Sequence, residues 1–371
     1  MIQRPSPRAR AAQWLLLLAV VAVAWYLGAN AADNLAARNM GSGFGFLGDT
    51  ANFDIPFKLI PWSDEDTYGR ALLVCTLNTL LVSVLSIAVA TVLGLIVGIM
   101  RLSPNWLMRN IALGFIELIR NTPILVQIIF WYVAVLQTLP PPRQSIVLPA
   151  GALLNIRGVY LPTIDTGPHG GALALLVVLL LAATPLLWRL PLRGRRIGAW
   201  ALAAPLAALV ALAAGIEHVE IPVMRGFNIA GGVQVPPELA ALWAGLSVYG
   251  AAFIAEIVRA AIVSVPKGQR EAALSLGLRP GQVLRKVVLP QALRVMVPPL
   301  TSQYLNIIKS SSLGAAVAYP ELFQIFAGTV MNQSGREIET IVILMAIFLT
   351  ISLLTSAFMN WYNRRVALVE R

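Results

Sequence analysis

The chain is 371 residues long, 58% hydrophobic and 12% charged, about half the ~25% charge of a soluble domain. That composition excludes both a single water-soluble globule and a disordered chain. The net charge of +11 would suggest nucleic acid in a soluble protein, but here the basic residues sit between apolar runs, which points to membrane orientation and to no nucleic-acid partner. One cysteine, Cys75, excludes an intrachain disulfide framework and a Cys-rich metal site.

Eight segments are long and apolar enough to cross a bilayer as helices: about 14–30, 73–100, 111–137, 171–188, 197–214, 239–263, 295–318 and 338–360. A helix needs about 20 residues for the hydrocarbon core. Only a helix or a closed barrel satisfies its backbone there, and the alternation a barrel needs is absent. The first segment has a basic leader (Arg4, Arg8, Arg10) and could be a signal peptide. Trp14 and Trp25–Tyr26 near its ends favour an uncleaved span. Residues 31–72 are polar and glycine-rich, and 138–170 open on Pro140-Pro141-Pro142; neither stretch is large enough for an independent domain. The hairpin 171–214, Ala and Leu around a basic turn, packs against lipid or a neighbour.

With a cytoplasmic N-terminus, the five inside segments hold 18 of the 28 basic residues and the outside segments hold 7. This asymmetry predicts an even number of spans with both termini inside.

No G-x-x-x-x-G-K-[ST] phosphate loop and no dinucleotide fingerprint occur. His169 and His218 lie apart, so no histidine-based catalytic metal site can be assembled. A membrane-embedded enzyme is therefore not expected, and a channel or transporter remains.

The longest inside segment, 264–294, is the most informative. Glu271-Ala272-Ala273-Leu274 favours a helix, Gly277 is a natural stop, and Pro280 suits the first turn of a second helix. Ala272 and Ala273 should leave a smooth surface for a close partner. Val283, Leu284, Val287 and Val288 form an apolar stripe. These features fit an amphipathic helix on anionic headgroups and a docking helix for a cytoplasmic protein equally well.

Glu271-Ala272-Ala273, three residues, Gly277, and then Val287-x-Leu289-Pro290 resemble the EAA loop of ABC importer permeases, with Val287 in place of the usual Ile. Three further strings resemble the polar amino-acid branch of that family: Arg120-Asn-Thr-Pro-Ile-Leu-Val-Gln127, Glu256-Ile-Val-Arg259 and Ile308-Lys309-Ser-Ser-Ser-Leu313. They run in order across about 72–362. The long N-terminal extension and the insert at 138–238 resemble the larger permeases of general L-amino-acid or glutamate/glutamine/aspartate/asparagine systems.

The resemblance implies an all-α polytopic permease, with residues 1–70 as an N-terminal span and outer segment. Residues 71–363 would form the transmembrane domain, and 264–294 the coupling loop. It implies a second permease subunit in a heterodimer, two ATPase subunits inside and a soluble binding protein outside that delivers an L-amino acid. ATP would then be bound by the partner ATPase, and this chain would carry no cofactor. Glu271, Ala272, Ala273, Leu274, Gly277, Leu289 and Pro290 would make up the ATPase-coupling region.

Charges within spans must face protein, water or an interface. Glu117 and Arg120, like Glu256 and Arg259, are three residues apart and share a helix face. They read as structural ion pairs, or as a polar wall for an amino acid. Lys309 lies deep in its span with Asn306 one turn before and Ser310–Ser312 after it. It could bind a substrate carboxylate, or hydrogen-bond helix carbonyls at a subunit interface. Asn121 and Gln127 could line the pathway, and Pro123 should interrupt a helix or begin one. Asn78 and the serines near it read as hydrogen bonds between helices. The reading is a permease subunit of an ATP-driven amino-acid importer in the bacterial inner membrane. The competing reading is an ion-driven secondary transporter or channel.

Overall fold

A computed structural model describes residues 7–37, 43–165 and 218–366. The chain divides into two compact units, residues 1–121 with 246–371, and residues 122–245.

In the first unit, α1 (Pro7–Ala37) exposes apolar side chains from Trp14 to Tyr26. An apolar helix segment that is unburied among the described residues calls for lipid. The stretch after it folds onto the helices: Phe46, Ile55 and Trp62 are buried with Tyr68, Cys75, Leu322, Phe326 and Ile343. Glycines and acids had suggested only a polar loop at 31–72; the cap is made by the few large apolar residues between them. A backbone bond from Gly43 to the Glu339 carboxylate, 2.8 Å, ties its beginning to the far end of the chain.

Helix α2 (Tyr68–Arg101) starts at Thr67, whose hydroxyl accepts the Arg70 N–H. Its 34 residues span about 51 Å. Gly94 and Gly98, one turn apart, lie against Ile254, Ala255 and Val258. This is the small-x-x-x-small device that lets membrane helices approach closely. Helix α3 (Trp106–Arg120), capped by the Asn105 side chain, buries Ala112 and Ile116 against Val97 and Ala255.

The span expected at 111–137 is not one helix. It stops at Arg120, resumes as α4 (Ile124–Ile129), and widens to a π-helix over Phe130–Leu136. Pro123, just before α4, has no N–H to continue the ladder and disfavours α-geometry at Thr122. Helix α5 (Pro237–Val263) matches its expectation closely. After it come α6 (Lys267–Ser275), Gly277 at φ +78°, and α7 (Pro280–Val283). A π-turn over Leu284–Val288 leads into α8 (Leu289–Ser310), which contains Pro298 and Pro299. The span expected at 295–318 thus begins earlier as a helix, and tightens to a 3-10 helix over Ser311–Val317. A π-helix over Gln324–Val330 and α9 (Met331–Ser334) precede the closing helix α10 (Glu337–Val366). Among the described helices four are long and apolar enough to cross a membrane, α1, α2, α5 and α10, or five if the bent pair α3–α4 counts as one span; α8, expected as a span, is not among them. The predicted hairpin spans 171–188 and 197–214 lie outside the described residues.

A buried polar latch joins α2 to the segment after α8. Asn78 donates to the carbonyls of Phe57 and Pro320, both at 2.8 Å, and the Tyr319 hydroxyl donates back to the Asn78 carbonyl. Thr79 accepts the Leu322 N–H. The fully buried Glu321 accepts the N–H groups of Phe323 and Gln324, capping the helix that follows. Asn78 thus ties its helix to the non-helical segments around Phe57 and Pro320, not to another helix as the sequence suggested.

The second unit holds α4 and short strands that the sequence reading did not anticipate within its helical frame. β1 (Ile146–Val147), β2 (Leu153–Asn155), β3 (Gly158–Leu161) and β8 (Val233–Val235) form an antiparallel sheet in the order β1-β2-β3-β8. β4 (Thr163–Asp165) pairs with β5 (His218–Glu220), and β6 (Val223–Arg225) with β7 (Asn228–Ala230). Gly158 is obligatory: at φ +109°, a Cβ there would sit 2.1 Å from the Val235 carbonyl oxygen. Buried Asn155 holds the β2–β3 turn by accepting the Arg157 N–H and donating to Ser145.

Candidate functional site

Segment 264–294 folds as two short helices on a buried base. Pro266 precedes α6, and the Leu276 and Gly277 N–H groups close its last turn on the carbonyls of Ala272 and Leu274. Gly277 supplies the left-handed residue that ends it. At α7, the Gln282 side chain accepts the Arg279 N–H, and Pro280 occupies the first turn as expected. Glu271, Ala272, Leu274 and Gly277 are exposed. Ala273 is not: it is buried with Val283, Val288, Ala261, Ile262, Met296 and Met359. The expected smooth surface at Ala272 and Ala273 therefore reduces to Ala272, because a helix only nine residues long must turn one face onto the protein to be held. The apolar stripe behaves likewise, with Val283 and Val288 inside and Leu284 exposed.

Leu289 and Pro290 are half-buried at the start of α8, away from the exposed tip. Leu276, at the end of α6 beside Gly277, is 82% exposed.

The charges in and near the spans separate into two groups. Arg259 donates to both carboxylate oxygens of Glu256, through Nε at 2.9 Å and through Nη2. That is the expected ion pair, in the strong bidentate form. Glu117 and Arg120 do not pair among the described residues. Glu117 accepts the Asn121 side-chain amide at 3.3 Å, and Arg120 lies over the Phe253 ring, 5.1 Å from its centre. A guanidinium held by an aromatic face keeps its hydrogen-bonding donors for other partners. Arg120, Phe253, Glu256, Ser264, Val295 and Pro299 line a cavity of about 410 Å³. Its polar side chains are the Arg120 cation, the bridged Glu256 carboxylate and the Ser264 hydroxyl on otherwise apolar walls, a set able to hold a small zwitterion.

The second group is not brought to this cavity. Lys309 lies ten residues beyond Pro299 on α8, about 15 Å along the helix. Lys309 and Asn306 are exposed on one face, and Lys309 makes no ion pair among the described residues. Ser310 is half-buried, and buried Ser311 donates to the Ile308 carbonyl at 2.7 Å. The serine hydroxyls thus satisfy the end of α8 rather than forming a cluster around the lysine. Gln127 is buried and donates to the Thr122 carbonyl at 3.0 Å. It helps satisfy the backbone freed at the helix break, a role the sequence reading, which set it along the pathway, did not foresee.

Comparison with known proteins agrees with this architecture. Residues 90–368 match the family of binding-protein-dependent transport system inner membrane components. The general L-amino acid transport system permease protein AapQ of Rhizobium johnstonii is 45% identical over 377 residues, covering 99% of this chain and 94% of the relative. The glutamate/glutamine/aspartate/asparagine transport system permease protein BztB of Rhodobacter capsulatus is 39% identical over 398 residues, covering 96% and 93%. A solved amino acid ABC transporter with histidines shares the fold at a TM-score of 0.51 and 20% identity, over 80% of this chain and 95% of that one. The match over most of the chain, together with the broken span and the two-helix segment before α8, makes this chain a member of the binding-protein-dependent transport system inner membrane component family.

Proposed function

We propose that this chain is one permease subunit of an ATP-driven amino-acid importer in the bacterial inner membrane, with both termini cytoplasmic. Its partners are two ATPase subunits, a non-identical second permease and an external binding protein. The chain carries no catalytic centre of its own, and ATP is bound by the ATPase subunits. The supporting observation is the two-helix segment 267–288. Its tip, with Glu271, Ala272, Leu274 and Leu276, is exposed. Its base, with Ala273, Val283 and Val288, is locked into the cluster that holds α5, α8 and α10.

That arrangement suits mechanical coupling. Where Ala273, Val283 and Val288 pack on α5, α8 and α10, the contact carries displacement from one element to the next. An ATPase that grips the tip and closes would move α5 and α8 with it, and would switch the pathway between inward-open and outward-open states. Residues 71–363 serve as the translocation domain, with 138–238 as its insert. The Arg120–Glu256 cavity is a stretch of the route: Arg120 meets the carboxylate of a passing L-amino acid while Glu256, bridged to Arg259, faces its ammonium group. Lys309, with Asn306 beside it, is a second point at which a carboxylate could rest.

The test is reconstitution of the complete complex in vesicles with binding protein and ATP. Glu271→Lys and Gly277→Asp should leave insertion and assembly intact, keep some ATP hydrolysis and abolish uptake. Normal uptake by both variants would count against a coupling role. Uptake by this chain alone, driven by an ion gradient, would favour a secondary transporter instead.

A further inference from the structure

A second cavity of the first unit is larger than the polar one. About 690 Å³ lies where the ends of α2 and α5 meet α6 and α7, within the ~300–1,000 Å³ of ordinary ligand sites. Ile99, Met100, Leu102, Val263, Val283 and Leu284 are among its walls, and only Ser103 and Arg270 bring polar side chains. Arg270 donates through Nη2 to the Ile262 carbonyl at 2.9 Å, while its buried Nε has no acceptor among the described residues. Such a lining suits a long apolar group with one anionic end, and offers nothing to the ammonium group of an amino acid.

Its setting narrows the occupant. Ile99 is 51% and Val263 56% exposed, on helices whose outer faces are apolar. Trp106 and Leu107, exposed at the start of α3, add an aromatic and an apolar side chain of the kind that anchors at an interface. Arg101, Arg109, Arg279 and Arg285 each adjoin a lining residue in the chain, and Glu271 is the single acid so placed. A basic pocket between transmembrane helices, at the end where basic residues collect, is complementary to an anionic headgroup.

We propose that this cavity binds one acyl chain of an anionic phospholipid, its phosphate facing Arg270 and the flanking Arg101 and Arg279. Leu274 of α6 and Val283 of α7 line the same space, so the bound chain fills the gap beneath the two-helix segment and stiffens its seat. An anionic lipid then acts as a structural ligand of the segment, distinct from the surrounding bilayer.

The assembled complex, purified in mild detergent, is examined by native mass spectrometry for retained phosphatidylglycerol, with phosphatidylcholine as the neutral comparison. The wild type should retain phosphatidylglycerol selectively. Val263→Trp, or Leu284→Trp should the first fail to assemble, should lose it by filling the space. Arg101→Gln and Arg279→Gln should each weaken retention by about fivefold. Equal retention by the wild type and a filled variant overturns the proposal. So does a photo-crosslinker at Leu284 that captures an ATPase subunit instead of lipid. Retention is read without uptake or ATP turnover, so its failure is separable from failure of the importer reading.

Discussion

Gly98→Ala should destabilise the protein although alanine is the better helix former. The exchange would gain about 1 kcal/mol of helix propensity at an open site. At this site a Cβ would lie 2.8 Å from the Ala255 carbonyl oxygen and from Val258, whereas ordinary contacts begin at 3.4 Å. One of the neighbours is backbone of α5, so relief requires the two helices to part by about 0.6 Å. Overpacking of this kind costs about 1–3 kcal/mol, which leaves a net loss of up to about 2 kcal/mol after the propensity gain. Gly114→Ala on α3, where nothing lies within 4 Å, is the control and should melt at or slightly above the wild type. Thermal melting of detergent-solubilised protein, followed by loss of the monodisperse chromatographic peak, compares the two. Should Gly98→Ala melt no lower than Gly114→Ala, the close approach of α2 and α5 would be refuted.

Burial pushes the Glu321 carboxyl up from its ordinary value of 4.5 to about 7, against the opposing pull of the Phe323 and Gln324 N–H groups. A raised acid favours its protonated form when folded, so its stabilising share is complete below pH 4.5 and is lost as pH rises through 7. Melting temperature should fall over that window, and Glu321→Gln should flatten the fall. Asn78→Ala strips the donors from the carbonyls of Phe57 and Pro320 and should cost about 1–3 kcal/mol, seen as a lowered melting temperature with assembly intact; an unchanged value would remove the latch. Lys309→Met should slow uptake of anionic and zwitterionic amino acids without changing ATPase docking, and full uptake would confine the lysine to a structural role at the end of α8.

Much of the fold could be read from the chain because its causes are local. Run length and the absence of charge give α2, α5 and α10 to within a few residues at most boundaries. Gly277 and Pro280 fix the turn between α6 and α7 through their own backbone geometry. The small strands of residues 146–235 were not anticipated, since each is only two to four residues long and depends on partners up to about eighty positions away. Gly158 and Asn155 mark one turn, but a turn residue does not say what it will pair with.

Sequence by itself determined that this is a membrane protein, the approximate extent of α2, α5 and α10, and the turn between α6 and α7. Those properties follow from hydropathy, charge and φ preference, which each residue carries wherever it lies. Only the tertiary structure decided that Ala273 turns inward, that Arg120 rests on Phe253 rather than on Glu117, and that Glu321 is fully buried. It alone opened an apolar cavity beneath α6 and α7. Each of these depends on atoms distant in the chain coming within a few ångströms, and no property of one residue encodes that distance.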